Sequence, residues 1–116
     1  MTATLDRIWV SVCAYDDLVP ERAVAALVGE TQVALVRTYD GQLYAVGNHD
    51  PFSGAYVMSR GIVGTSAGMP TLASPMFKQV FDLRSGVCLT DEGVRIPTYP
   101  VACREGVVSI GVREHL

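Results

Sequence analysis

Asp40-Gly41 lies between two apolar runs, residues 32–38 and 43–47. Glycine accepts the positive φ that a tight turn demands, so an Asp-Gly pair flanked in this way predicts a β-hairpin. A second hairpin is predicted towards the C-terminal end. There Tyr99, Val101 and Cys103 alternate with Thr98, Ala102 and Arg104, Glu105-Gly106 supplies the turn, and Val108, Ile110 and Val112 alternate with Ser109, Gly111 and Arg113. Such period-two alternation puts one set of side chains on a core face and the other towards water. The two hairpins commit the chain to an all-β fold, a small antiparallel sandwich or barrel.

The rest of the chain fits that frame. Residues 8–13 are β-branched and aromatic, and read as a strand. Residues 16–22 read as a turn or a single helical turn, with an Asp cap and Pro20 limiting its length. Residues 23–27 have helical propensity, but Gly29-Glu30 then turns into the next run, which favours a strand from Val24. Between the hairpins, residues 48–75 are rich in Gly, Pro, Ser and Ala, with strands expected only at 62–63 and 71–73. Residues 79–83 predict another strand and Arg84-Ser85-Gly86 a turn. A loop-rich insertion of that length is uncommon unless it serves a purpose. With no repeat and no low-complexity linker, one domain is expected over residues 1–116, with its core at 8–113.

Composition narrows the function classes. Of 116 residues 49% are hydrophobic and 18% charged, the balance of a chain that buries a real core. The net charge is −3, Lys78 is the single lysine, and the arginines are scattered. No basic stripe tracks a phosphate backbone, so no nucleic-acid partner is expected. Residues 1–7 show no basic segment followed by an apolar run, and residues 61–77, the longest uncharged stretch, are broken by Gly64, Gly68, Pro70 and Pro75. Neither a secretory signal nor a membrane span is expected, and a cytoplasmic location is the default. Cys13, Cys88 and Cys103 are odd in number and far apart, which predicts buried, reduced thiols rather than a disulfide framework.

Within the insertion, the segment Tyr44-Ala45-Val46-Gly47-Asn48-His49-Asp50-Pro51-Phe52-Ser53-Gly54 resembles the first ligand loop of Rieske iron–sulfur proteins, which carries Cys-x-His. The segment Ser74-Pro75-Met76-Phe77-Lys78-Gln79-Val80-Phe81-Asp82-Leu83-Arg84-Ser85-Gly86 resembles the second, with Cys-x-x-His ahead of Phe-Asp-Leu-x-Thr-Gly. Pro97-Thr98-Tyr99-Pro100-Val101 is similar to the family's closing strands, and the resemblance spans residues 8–113. It implies a Rieske-like fold with a two-loop cluster-binding-type subdomain at residues 48–77.

A Rieske centre takes two thiolates and two imidazoles. The resemblance places Asp50 and Ser74 at the Cys positions and Phe52 and Phe77 at the His positions. A phenyl ring cannot coordinate iron, and Asp and Ser are hard oxygen donors. No cluster is therefore expected in this chain. Val12-Cys13-Ala14, Asp16-Asp17-Leu18-Val19-Pro20 and Ser59-Arg60-Gly61-Ile62-Val63-Gly64 look like the small subunits of cytoplasmic NAD(P)H-dependent nitrite reductase, whose members share the scaffold and often lack the ligands. That resemblance implies a large-subunit partner carrying FAD, an iron–sulfur cluster and sirohaem, where nitrite is reduced to ammonia in nitrate assimilation. It implies an accessory subunit of an oxidoreductase with no catalytic or nucleotide site of its own.

Sharper chemistry has less support. A 2-His-1-carboxylate site would need His49 together with His115, the only two histidines. Ser53 or Ser74 with His49 would be a nucleophile and base, but no triad or oxyanion motif surrounds them. The alternatives from other classes are a Rieske-type ferredoxin serving an oxygenase and a free-standing binding module. Phe52 and Phe77 are expected to fill the volume a cluster would occupy. Tyr56, Met58, Met69 and Met76 are expected as an apolar docking tip.

Overall fold

The computed structural model describes residues 7–113; the N-terminal stretch ahead of Arg7 and His115 lie outside the described residues. Among the described residues ten strands follow one another: β1 (Arg7–Ala14), β2 (Arg22–Val28), β3 (Thr31–Arg37), β4 (Leu43–Gly47), β5 (Ile62–Ser66), β6 (Met69–Ala73), β7 (Val80–Asp82), β8 (Thr98–Tyr99), β9 (Val101–Arg104) and β10 (Val107–Arg113). They form three antiparallel sheets, ordered β1-β10-β9, β2-β3-β4-β8 and β5-β6-β7. The all-β expectation holds, and the predicted hairpins are β3–β4 and β9–β10.

The central sheet is the shared wall of two cores. Along β3 the side chains alternate, Val33 and Leu35 packing with Leu18, Val28, Val108 and Ile110, and Ala34 and Val36 with Met58, Leu72, Phe81 and Ile96. A strand covered on both faces is apolar at every position, which is why Val33-Ala34-Leu35-Val36 reads as an unbroken run. The insertion supplies β5 and β6, which join β7 in the third sheet, and this sheet packs on the second core through Leu72 and Phe81.

The segment at 15–17 is one 3-10 turn, followed by Leu18 in extended conformation, so a single short turn forms as read, but Ala14 rather than an Asp stands at its cap and no side chain caps it. Strand β2 starts at Arg22, as tertiary pairing overrides helical propensity. The insertion strands run longer than expected because Ala67 (φ 50°) and Gly68 (φ 81°) form a tight turn that extends the pairing outward to Ser66↔Met69.

All three cysteines are free. The expectation that all are buried needs correction. Cys88 is buried, Cys13 is half-buried, and Cys103 is exposed. Cys103 lies on β9, an edge strand, where the core no longer covers the sheet.

Candidate functional site

The two loops of the insertion meet at one point. The first follows β4. Its Asp50 N–H donates to the Ala55 carbonyl (2.8 Å), and its own carbonyl accepts from Gly54 N–H (2.8 Å), which closes the loop on itself. The second loop joins β6 to β7. Ser74 N–H donates to the Gln79 carbonyl (2.9 Å), and the Ser74 carbonyl accepts from Lys78 N–H (3.0 Å).

Across the gap, the Ser74 hydroxyl donates to Asp50 Oδ2 at 2.6 Å. Ser53 Oγ donates to the same oxygen (3.0 Å), and Phe52 N–H donates to Oδ1 (2.9 Å). Ser74 Oγ in turn accepts from Met76 N–H (3.2 Å). Both residues are sealed from water, Asp50 at 0% and Ser74 at 1% exposure. Burial pushes the Asp50 carboxyl upward, but the hydrogen bonds from Ser74, Phe52 and Ser53 outweigh it and hold the group below its ordinary range. The result is a buried carboxylate whose two oxygens already accept from three donors.

Around this pair the four positions diverge. Phe52 is half-buried, with its ring 6.2 Å from that of the buried Phe81, so it extends the core into the first loop. Phe77 does not fill the interior as expected; it is 60% exposed. Its loop closes tightly between Ser74 and Lys78, which leaves residues 75–77 at the apex, outside the core.

The expected docking residues divide in the same way. Tyr56 is exposed, its ring 5.0 Å from that of His49. Met76 is 52% exposed, and Met69 is half-buried on β6. Met58 corrects the expectation, since it is fully buried. Its N–H donates to the Asn48 carbonyl, which draws the side chain under the loop and into the core with Val36, Leu72 and Phe81.

Asn48 was not singled out by its sequence. It is buried, accepts from Ser59 N–H at Oδ1 (2.7 Å), and donates through Nδ2 to Gln32 Oε1 and the Tyr56 carbonyl (both 3.3 Å). The one signal is its place at the end of a strand opening a long loop, where a polar side chain satisfies stray backbone groups. The Ser53 and Ser74 hydroxyls are both engaged with Asp50 rather than with His49, so no nucleophile–base pair forms.

The family model for the Rieske-like [2Fe-2S] domain matches residues 8–111. Over 103 residues the chain is 40% identical to the nitrite reductase (NADH) small subunit of Escherichia coli K12, covering 88% of this chain and 95% of that one. This chain belongs to the nitrite reductase small-subunit family of Rieske-like domains. A Mycobacterium tuberculosis structure assigned as an NADH-dependent nitrite reductase small subunit superposes with a TM-score of 0.90 at 48% identity, covering 92% of this chain and 96% of that one. The nitrite reductase [NAD(P)H] large subunit of Klebsiella oxytoca also matches, 36% identical over 110 residues, which is 95% of this chain but 11% of that much longer one.

The family name implies a [2Fe–2S] cluster, and the donors of this small-subunit relative do not fit it. A Rieske cluster binds thiolates and imidazoles. The two loops offer a carboxylate that already accepts three hydrogen bonds, a hydroxyl that donates to it, two phenyl rings, and the imidazole of His49, whose ring packs near that of Tyr56. The thiols lie elsewhere, Cys13 on β1, Cys88 beyond β7 and Cys103 on β9. Among the described residues no three His, Cys, Asp or Glu side chains gather as a metal-binding group.

Proposed function

We propose that this chain is the cofactor-free small subunit of a cytoplasmic NAD(P)H-dependent nitrite reductase of nitrate assimilation. It stabilises or orients a catalytic large subunit that carries FAD, an iron–sulfur cluster and sirohaem and reduces nitrite to ammonia. In this reading Asp50, Phe52, Ser74 and Phe77 stand at the four Rieske ligand positions.

The observation that carries the reading is the hydrogen bond between Asp50 and Ser74. Two loops that hold a cluster in a metal-binding Rieske domain are here held to each other. The scaffold is kept while its donors are replaced, which favours a contact role over electron transfer. The match within a Klebsiella oxytoca large subunit supports the choice of partner, because a domain that also occurs as part of a longer nitrite reductase chain works beside the rest of that chain.

Iron analysis and visible absorption of the purified chain, after incubation with ferrous iron and sulfide, test the cofactor-free part. A colourless protein without bound iron is expected. A brown protein with roughly two iron atoms per chain would instead make it a ferredoxin-type carrier.

A further inference from the structure

We propose that the turn at residues 75–77, with Met76 and Phe77 at its apex, is the surface on which the catalytic remainder of nitrite reductase docks. This rests on the small-subunit reading and names the contact within it.

The turn differs from the three two-residue hairpin turns of the molecule, although the longer β3–β4 turn also exposes one aromatic side chain, Tyr39. The β2–β3, β5–β6 and β9–β10 connections are Gly29-Glu30, Ala67-Gly68 and Glu105-Gly106, small or charged as exposed turns usually are. The turn after Ser74 instead places Pro75, Met76 and Phe77 side by side in water, with Met76 52% and Phe77 60% exposed. Lys78 closes it at φ 60°, a backbone conformation uncommon for a residue with a side chain. Neither loop is loose. Ser74 anchors the turn through Met76 N–H and Lys78 N–H, and Asp50 fixes Ser74 from the neighbouring loop. A pre-ordered apolar apex loses little freedom on binding, and Met and Phe are among the side chains enriched at interfaces.

The occupant follows from the two ways this domain occurs. Within the Klebsiella oxytoca large subunit it amounts to 11% of the chain, and the covalent link keeps it beside its neighbour. As a separate chain of the Escherichia coli type it has only its surface to hold it there. A free-standing version therefore needs an exposed apolar contact facing the catalytic chain. Rival exposed apolar side chains are Leu27 on β2, Ile62 on β5, and Trp9 and Val107 on the outer face of β1-β10-β9. That face is interrupted by the Ser11–Ser109 hydroxyl pair and by Arg104, and single exposed apolar side chains are ordinary.

The test measures binding of the full chain to the cofactor-loaded large subunit by calorimetry or surface plasmon resonance. Met76→Asp and Phe77→Asp should each raise Kd by at least about tenfold, and Phe77→Ser should raise it less. Trp9→Asp should leave Kd within about twofold. Near-ultraviolet circular dichroism and Tm report whether each variant is folded, and both apex side chains are exposed enough for polar replacements to be carried. Wild-type affinity in the folded apex variants, or a loss with Trp9→Asp as large as theirs, overturns the docking site and leaves the small-subunit reading intact. Absence of binding by the wild-type chain overturns both.

Discussion

The hydroxyl of Ser74 donates to the carboxylate of Asp50 at 2.6 Å, and the pair is fully buried although 24 residues separate the two in sequence. One hydrogen bond thus closes the tip of the domain. Removing one partner strands the other away from water, which costs more than the bond itself contributes.

Ser74→Ala is therefore predicted to destabilise the fold by about 1–3 kcal/mol, lowering Tm by roughly 4 °C for each kcal/mol in a domain of this size. Adding Asp50→Asn to Ser74→Ala should cost less than the sum of the single changes, because both act on one contact. Thermal and urea unfolding of the four proteins give the coupling directly. Strict additivity would mean the two side chains do not cooperate.

The Asp50 carboxyl is held below its ordinary value of 3.8, so the folded chain binds this proton less tightly than the unfolded chain does. Its contribution is present above the ordinary carboxylate range and is lost as pH falls through the folded value. Burial pushes Asp82 upward, but Arg84 and the backbone amides of Arg84 and Ser85 together outweigh it and hold the carboxyl below its ordinary range, so it acts in the same direction. Stability should fall as pH drops below about 4, and the gap between wild type and Asp50→Asn should narrow there. A gap that is constant with pH would show that Asp50 does not titrate with folding.

Met58 and Phe77 are predicted to behave in opposite ways. Met58→Ala empties a filled core position and should cost about 2–5 kcal/mol, whereas Phe77→Ala should change stability by no more than about 0.5 kcal/mol. Denaturant melts of both proteins check the assignment of one to the core and the other to the surface. A Phe77→Ala loss as large as that of Met58→Ala would put the Phe77 ring inside.

Gly86 ends the turn that opens with Asp82, at φ 79°, and its N–H donates to the Asp82 carbonyl at 2.7 Å. A Cβ at this position would run into the carbonyl of Ile96. Gly86→Ala should therefore cost about 1–3 kcal/mol, while Gly68→Ala, which has the same sign of φ but open space around it, should cost less. Equal losses in the two melts would assign the whole effect to φ rather than to the close approach.

Much of the scaffold was legible because turn chemistry and alternation are local. Asp40-Gly41 and Glu105-Gly106 marked their hairpins; the double-sided burial of β3 explains its uninterrupted apolar run but was not read from it. The third sheet was less visible. Thr65, Ser66 and Pro70 weaken the strand pattern, and pairing across Ala67-Gly68 extends the strands beyond what propensity suggests. Burial within the insertion was not legible. Met58 and Met76 look alike in sequence, but the first is tied beneath Asn48 and the second sits on a turn apex. The same holds for Phe52 and Phe77. The role of Asn48 depends on Ser59 N–H and Gln32, partners that no sequence period brings together. Asp50 and Ser74 were brought together only by the family resemblance.

The central claim is that this chain acts by contact on a catalytic partner. The most direct measurement is a titration of isolated large subunit with the purified small chain while following NAD(P)H-dependent nitrite reduction. The account predicts that a colourless, iron-free chain binds the large subunit and raises activity to a plateau. Full activity of the large subunit alone, with no detectable binding of this chain, would contradict it.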